Sequence, residues 1–113
     1  MKPMKLLLSG LAALLILCPA RADEAAGDEA IARLGRLNGV ALACEQPAIA
    51  SRVRHLMQTS APKTRGNGEI FEQATSAAFL EQGQGRECPD IAAFNRQLGD
   101  AEQALRQVWP SPQ

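Results

Sequence analysis

The sequence predicts an all-α fold: a small bundle of about four helices stapled by one disulfide, after a cleaved signal peptide. Three observations carry this. Alanine is abundant, β-branched residues are few, and no stretch alternates apolar with polar residues, so helix is favoured over sheet. Four segments repeat apolar residues at spacings of three and four. Two cysteines, Cys44 and Cys88, remain once the leader is gone.

The leader is read from residues 1–22. Met1–Lys5 carries two lysines, and Leu6–Leu17 is almost wholly apolar. That run is too short for a spanning helix, which needs about 20 residues. A basic head, a short apolar run and the small-residue triplet Ala20-Arg21-Ala22 match a secretory signal peptide, with the mature chain starting at Asp23. Residues 23–113 then form a single helical domain. An uncleaved anchor is the alternative, but Pro19 and Arg21 end the apolar run. Cys18 offers a bacterial lipoprotein site. Leu17 stands where that site wants a small residue, so Cys18 leaves with the leader. The expected location is periplasmic or secreted, in a bacterium, with no stable membrane insertion after cleavage.

Cleavage removes Lys2, Lys5 and Arg21 from 12 basic residues, leaving nine against 12 acidic ones and a net charge of −3. Nucleic-acid binding normally shows as a basic excess, so it is not expected. The 91 mature residues suffice for one small domain. An even cysteine pair in an exported chain reads as one disulfide. Closing a loop of about 45 residues is worth roughly 4 kcal/mol in the chain-entropy picture. A redox pair is disfavoured because there is no Cys-x-x-Cys and no βαβ pattern around either cysteine. Two thiols and the lone His55 fall short of a zinc site, so neither metal nor cofactor is expected.

Taken in order, Asp23–Glu29 is acidic and Ala/Gly-rich and reads as a frayed lead-in. Ile31, Leu34, Leu37, Ala41 and Cys44 then share one helix face. Gly35 and Gly39 lie four apart on a neighbouring face. They predict close approach of another helix, with a break at Gly39 as the alternative. Pro47 ends this helix near Glu45–Gln46 and starts a second, striped by Ile49, Val53, Leu56 and Met57 and stopped by Ser60-Ala61-Pro62. Residues 63–69, KTRGNGE, make a polar turn in which Asn67 can cap a third helix, with Glu69 in its first turn. That helix spans 68–82 with Ile70, Phe71, Ala74, Ala77, Ala78 and Leu80 on its apolar face, and the Gly-Gln-Gly at 83–85 ends it. Cys88-Pro89-Asp90 opens a fourth, with proline at the first helical position. Its seam of Ile91, Phe94, Leu98, Ala101, Leu105 and Val108 steps 3-4-3-4-3 and suits a bundle core, or a coiled-coil dimer. Pro110 and Pro112 end it.

No catalytic constellation emerges: there is no Gly-x-Ser-x-Gly elbow, phosphate-cradling loop or His-Glu-x-x-His. His55 reads as an exposed helix residue, and Glu69 with Glu72 as helix-dipole partners rather than an acid–base pair. The basic set Arg52, Arg54, Lys63 and Arg65 brackets the turn holding Gly66, Asn67 and Gly68. It reads as solvated faces or as a surface for a partner protein or other anion, with the turn offering backbone N–H groups.

In plan the chain resembles two kinds of exported bacterial protein: the HdeA-like acid-stress chaperones and the periplasmic immunity proteins that neutralise type VI secretion amidases. Cys44, Cys88 and the leader carry the resemblance. It implies a small helical periplasmic protein with one disulfide and carries over no functional residue. The functional expectation is a non-enzymatic protein-binding module of inhibitor, immunity or accessory type, with a periplasmic stress or acid chaperone as the alternative.

Overall fold

A computed structural model describes residues 19–110, with side chains from residue 23 onward. Cys18 and most of the expected leader lie outside the described residues, and no helix among those described is long and apolar enough to cross a membrane. The described chain is four helices: α1 (Pro19–Ala43), α2 (Pro47–Ser60), α3 (Arg65–Gln82) and α4 (Ile91–Val108). The fold is the expected small all-α bundle with a Cys44–Cys88 bridge.

α1 is the organising element. Its 25 residues span about 37 Å, and every other helix packs on it. Ile31, Leu34, Leu37 and Ala41 are buried in the core with Ile49, Ala50 and Val53 of α2 and Phe94, Leu98, Ala101 and Leu105 of α4. The seam of α4 is thus spent inside the bundle. The ends of that seam differ: Val108 is half-buried and Ile91 is 52% exposed.

Chain direction follows from the ends. Cys44 bonds Cys88 at one end, while Gly27 lies under Trp109 and Val108 at the other, so α1 and α4 are antiparallel. α2 reverses out of α1 through the tight turn at Cys44–Gln46 and therefore runs parallel to α4. In that turn Glu45 takes a left-handed φ of 56°. Its N–H donates to the Leu42 carbonyl and the Gln46 N–H to that of Ala41, closing the last turn of α1. Pro47 then occupies the first turn of α2, as predicted.

α3 occupies a different layer. It contacts α1 only and reaches neither α2 nor α4. Glycines make the contact. A Cβ on Gly35 would meet the Phe71 carbonyl oxygen at 2.6 Å and the Ala74 Cβ at 2.8 Å. One on Gly39 would sit closer still to the Thr75 carbonyl oxygen, and 2.8 Å from the Ala78 Cβ. Gly39 is not a break; both glycines let a second helix backbone approach. The contacts advance in the same sense along both helices, so α3 runs parallel to α1. A polar clasp lies in the seam: the Thr75 hydroxyl donates to the Gly35 carbonyl at 3.2 Å, and Asn38 Nδ2 donates to the same hydroxyl oxygen at 3.2 Å.

Several expected boundaries move. Residues 23–29 are helical rather than frayed, because Gly27 has no Cβ to hold Trp109 away from α1. α3 starts at Arg65, and its cap is Thr64, whose hydroxyl accepts from the Asn67 N–H at 3.1 Å. Asn67 instead lies within the first turn and donates to the Pro62 carbonyl at 2.9 Å. Ala77 and Leu80, expected on the apolar face of α3, are exposed, since a helix packed on one neighbour buries only a narrow stripe. Ile70, Phe71 and Ala74 are half-buried and Ala78 is buried. Pro89 precedes α4 rather than opening it: Asp90 is the cap and accepts from the Ala93 N–H at 2.7 Å. Replacing that carboxylate removes the only side-chain cap on α4. Asp90→Ala is expected to cost about 1 kcal/mol, read as a lower urea midpoint with an unchanged slope.

Candidate functional site

The bridged end is tied by a disulfide, a buried amide and an ion pair. Cys44 and Cys88 have Cα atoms 5.8 Å apart and join positions 44 residues apart in sequence. Gln82, at the last turn of α3, is buried. Its Nε2 donates to the carbonyls of Arg86 at 2.9 Å and Glu87 at 3.2 Å, and lies 3.7 Å from Cys88 Sγ. One amide thus fixes the segment that presents Cys88, and the bridge fixes that segment to the end of α1. α3 is held at its C-terminal end through this arrangement as well as by its glycine seam. The site is a structural clamp: Cys44 is half-buried and Cys88 exposed, with both thiols consumed.

The basic set is dispersed. Arg52 and Arg54 lie two positions apart on α2, which turns their Cα–Cβ directions about 200° from each other. Arg52 faces the groove between α2 and α4; Arg54 is exposed and lines none of the clefts described here. Lys63 is exposed on the α2–α3 connection. Arg65 opens α3 and pairs with Glu69 at 3.1 Å. Gly66, Asn67 and Gly68 form the first turn of α3, where the Asn67 and Gly68 N–H groups already donate to Thr64. Glu72 is exposed one turn on.

Two clefts flank α4. The one toward α1, about 350 Å³, is lined by Arg33, Arg36, Leu37, Val40, Gln97 and Asp100. Arg36 is engaged there by Glu29 at 3.0 Å. The one toward α2, about 550 Å³, gathers Ser51, Arg52, His55, Thr59, Glu102 and Arg106. Arg106 pairs with Glu102 one helical turn back, and Thr59 donates its hydroxyl to the His55 carbonyl at 2.8 Å. This groove is not legible in the sequence, because Arg52 and Arg106 are far apart in the chain. Among the described residues, no group of three or more His, Cys, Asp or Glu is placed to hold a metal ion.

No protein-family model, curated protein or solved structure matches the chain.

Apolar side chains also reach solvent at the bridged end. Leu42 is 41% exposed and Phe79 45% exposed. Leu42 lies one turn beyond Gly39 on the α3-facing side of α1, and the Phe79 backbone N sits 2.8 Å from the Cβ position of Gly39. The two therefore flank the same end of the α1–α3 seam. Phe79 had no part in the predicted apolar stripe of α3. Its exposure arises from the narrowness of a seam built on glycines.

Proposed function

We propose that the mature chain is an exported, non-enzymatic protein-binding module of inhibitor, immunity or accessory type. The supporting observation is the pair Leu42 and Phe79, each over 40% exposed beside a disulfide clamp. The scaffold that carries this aromatic and this leucine is pinned by the disulfide, so binding requires little backbone ordering. Aromatic residues, Phe included, are enriched at interface cores, where a few residues carry most of the binding energy.

The test is capture from periplasmic extract with the disulfide-bonded protein as bait. One stoichiometric partner is expected to survive washing. Phe79→Asp is expected to weaken its retention at least about tenfold, since buried aromatic anchors are worth roughly 2 kcal/mol or more. No stoichiometric partner under several wash conditions would sink the proposal.

The acid-chaperone reading keeps one observation in its favour: α3 is fastened to a single helix, so releasing it uncovers apolar surface without dismantling the α1–α2–α4 core. It predicts suppression of aggregation of unrelated proteins near about pH 3, with loss of fixed tertiary packing. A cooperative fold kept at that pH, with no such suppression, counts against it.

A further inference from the structure

The α2–α4 groove has an unbalanced inventory of hydrogen-bonding groups. Its carboxylate, Glu102, is already engaged by Arg106. The hydroxyl proton of Thr59 is committed to the His55 carbonyl. What remains is largely donors. Arg52 has no hydrogen-bond or ion-pair partner among the described residues, and a guanidinium carries five N–H groups. Arg106 spends only part of its fork on Glu102. The His55 ring and the Ser51 hydroxyl each bring a donor and an acceptor to the same wall, so the surplus is that of the two arginines. This surplus sits on a chain whose mature net charge is −3, so it is a local feature and not a reflection of overall basicity.

The shape narrows the ligand. The groove lies between two parallel helices, open along its length, at about 550 Å³. From Ser51 to Ser60 it runs roughly 13 Å. An extended segment of about four residues, at ~3.3 Å each, fills that length. Arginine prefers the planar, two-oxygen face of a carboxylate, and here two arginines stand on separate helices.

We infer that the α2–α4 groove is a docking site for an acidic segment of a protein partner, with Arg52 and Arg106 each receiving a carboxylate. This rests on the protein-binding reading and assigns it a chemistry and a place distinct from Leu42 and Phe79. Arg52, from the basic set, belongs to it; Arg54, Lys63 and Arg65 do not.

The test is an amide-resolved NMR titration of the disulfide-bonded protein with a hexaglutamate peptide at low salt, and with inorganic phosphate at matched ionic strength. Saturable shifts are expected at Ser51, Arg52, His55 and Arg106. Arg52→Gln is expected to weaken the peptide about tenfold, as is Arg106→Gln, while Arg65→Gln stays within about twofold. Arg52 is exposed, so its variant keeps the fold, which thermal melting verifies. Peptide shifts outside the groove, or affinity indifferent to Arg52→Gln, would overturn the assignment. So would phosphate binding as tightly as the peptide, which marks a small-anion site. If the captured partner is retained equally by wild type and Arg52→Gln, the groove assignment falls while the binding module stands. If the peptide binds as predicted and no partner is captured, the acidic-ligand chemistry stands and the partner-binding role falls.

Discussion

Gly39→Ala is expected to destabilise the protein by about 1–3 kcal/mol, although alanine is the better helix former by up to ~1 kcal/mol. The added methyl has nowhere to go. Two of the three nearest atoms, the Thr75 carbonyl oxygen and the Phe79 nitrogen, are backbone of α3, and the third is the Ala78 Cβ. None of these can rotate aside as a long side chain would. α3 must move away from α1, and the Thr75–Gly35 and Asn38–Thr75 hydrogen bonds stretch with it. Asn38 is buried, so its amide cannot turn to water instead. Gly99 supplies the control. It lies within α4, and an added Cβ there meets nothing within 4 Å. Gly99→Ala is therefore expected to stabilise by about 0.5–1 kcal/mol from propensity alone. Urea unfolding of the two variants should show midpoints moving in opposite directions. If both variants gain stability alike, the glycine seam is not a close contact.

Removing the disulfide is expected to cost more than either glycine substitution or the loss of the α4 cap. The Cys44→Ser/Cys88→Ser protein is expected to lose about 4 kcal/mol, since the bridge closes a loop of 44 residues. A domain of this size holds about 5–10 kcal/mol in all. The melting temperature should fall by about 15–30 °C. The loss is not confined to chain entropy. Without the bridge, the 86–88 segment is tied only to α3, by the Gln82 amide and the Arg86–Glu81 ion pair, and α3 loses its second fastening to α1. Calorimetry on the paired oxidised and serine proteins reads this directly. A melting temperature within a few degrees of wild type would mean that the bridge is not a stabilising clamp.

The parts of this fold that are legible in the sequence are those in which large apolar residues mark a face. Phe94, Leu98, Ala101 and Leu105 announce α4 because a helix against a core must place bulk every three or four residues. Pro47 and the Gly-Gln-Gly at 83–85 announce boundaries because their backbone chemistry is local. Gly35 and Gly39 also signal in advance, since two glycines four apart in a helix otherwise cost stability without return. The first turns of α1 carry no such mark. Gly27 is buried by Trp109, and packing of a small residue against a distant aromatic leaves no hydropathic period. Thr64 and Asn67 are both able to cap α3, and only the chain path selects Thr64. The proposed docking groove is the least legible part. Arg52 and Arg54 are neighbours in sequence and are turned apart by the helix, whereas Arg52 and Arg106 are brought to one groove by two helices docking on α1. The exposed Phe79 likewise follows from α3 having one neighbour, a fact of tertiary arrangement and not of local pattern.

The Cys44–Cys88 bridge underlies the stability of the clamp, and the proposed binding role adds export with removal of residues 1–22. Intact-mass spectrometry of the protein recovered from the periplasm or medium, without reductant, reads both at once. The expected species begins at Asp23 and is lighter by the two hydrogens of one disulfide. A mass that retains residues 1–22, or a mature mass that carries two free thiols, would contradict it.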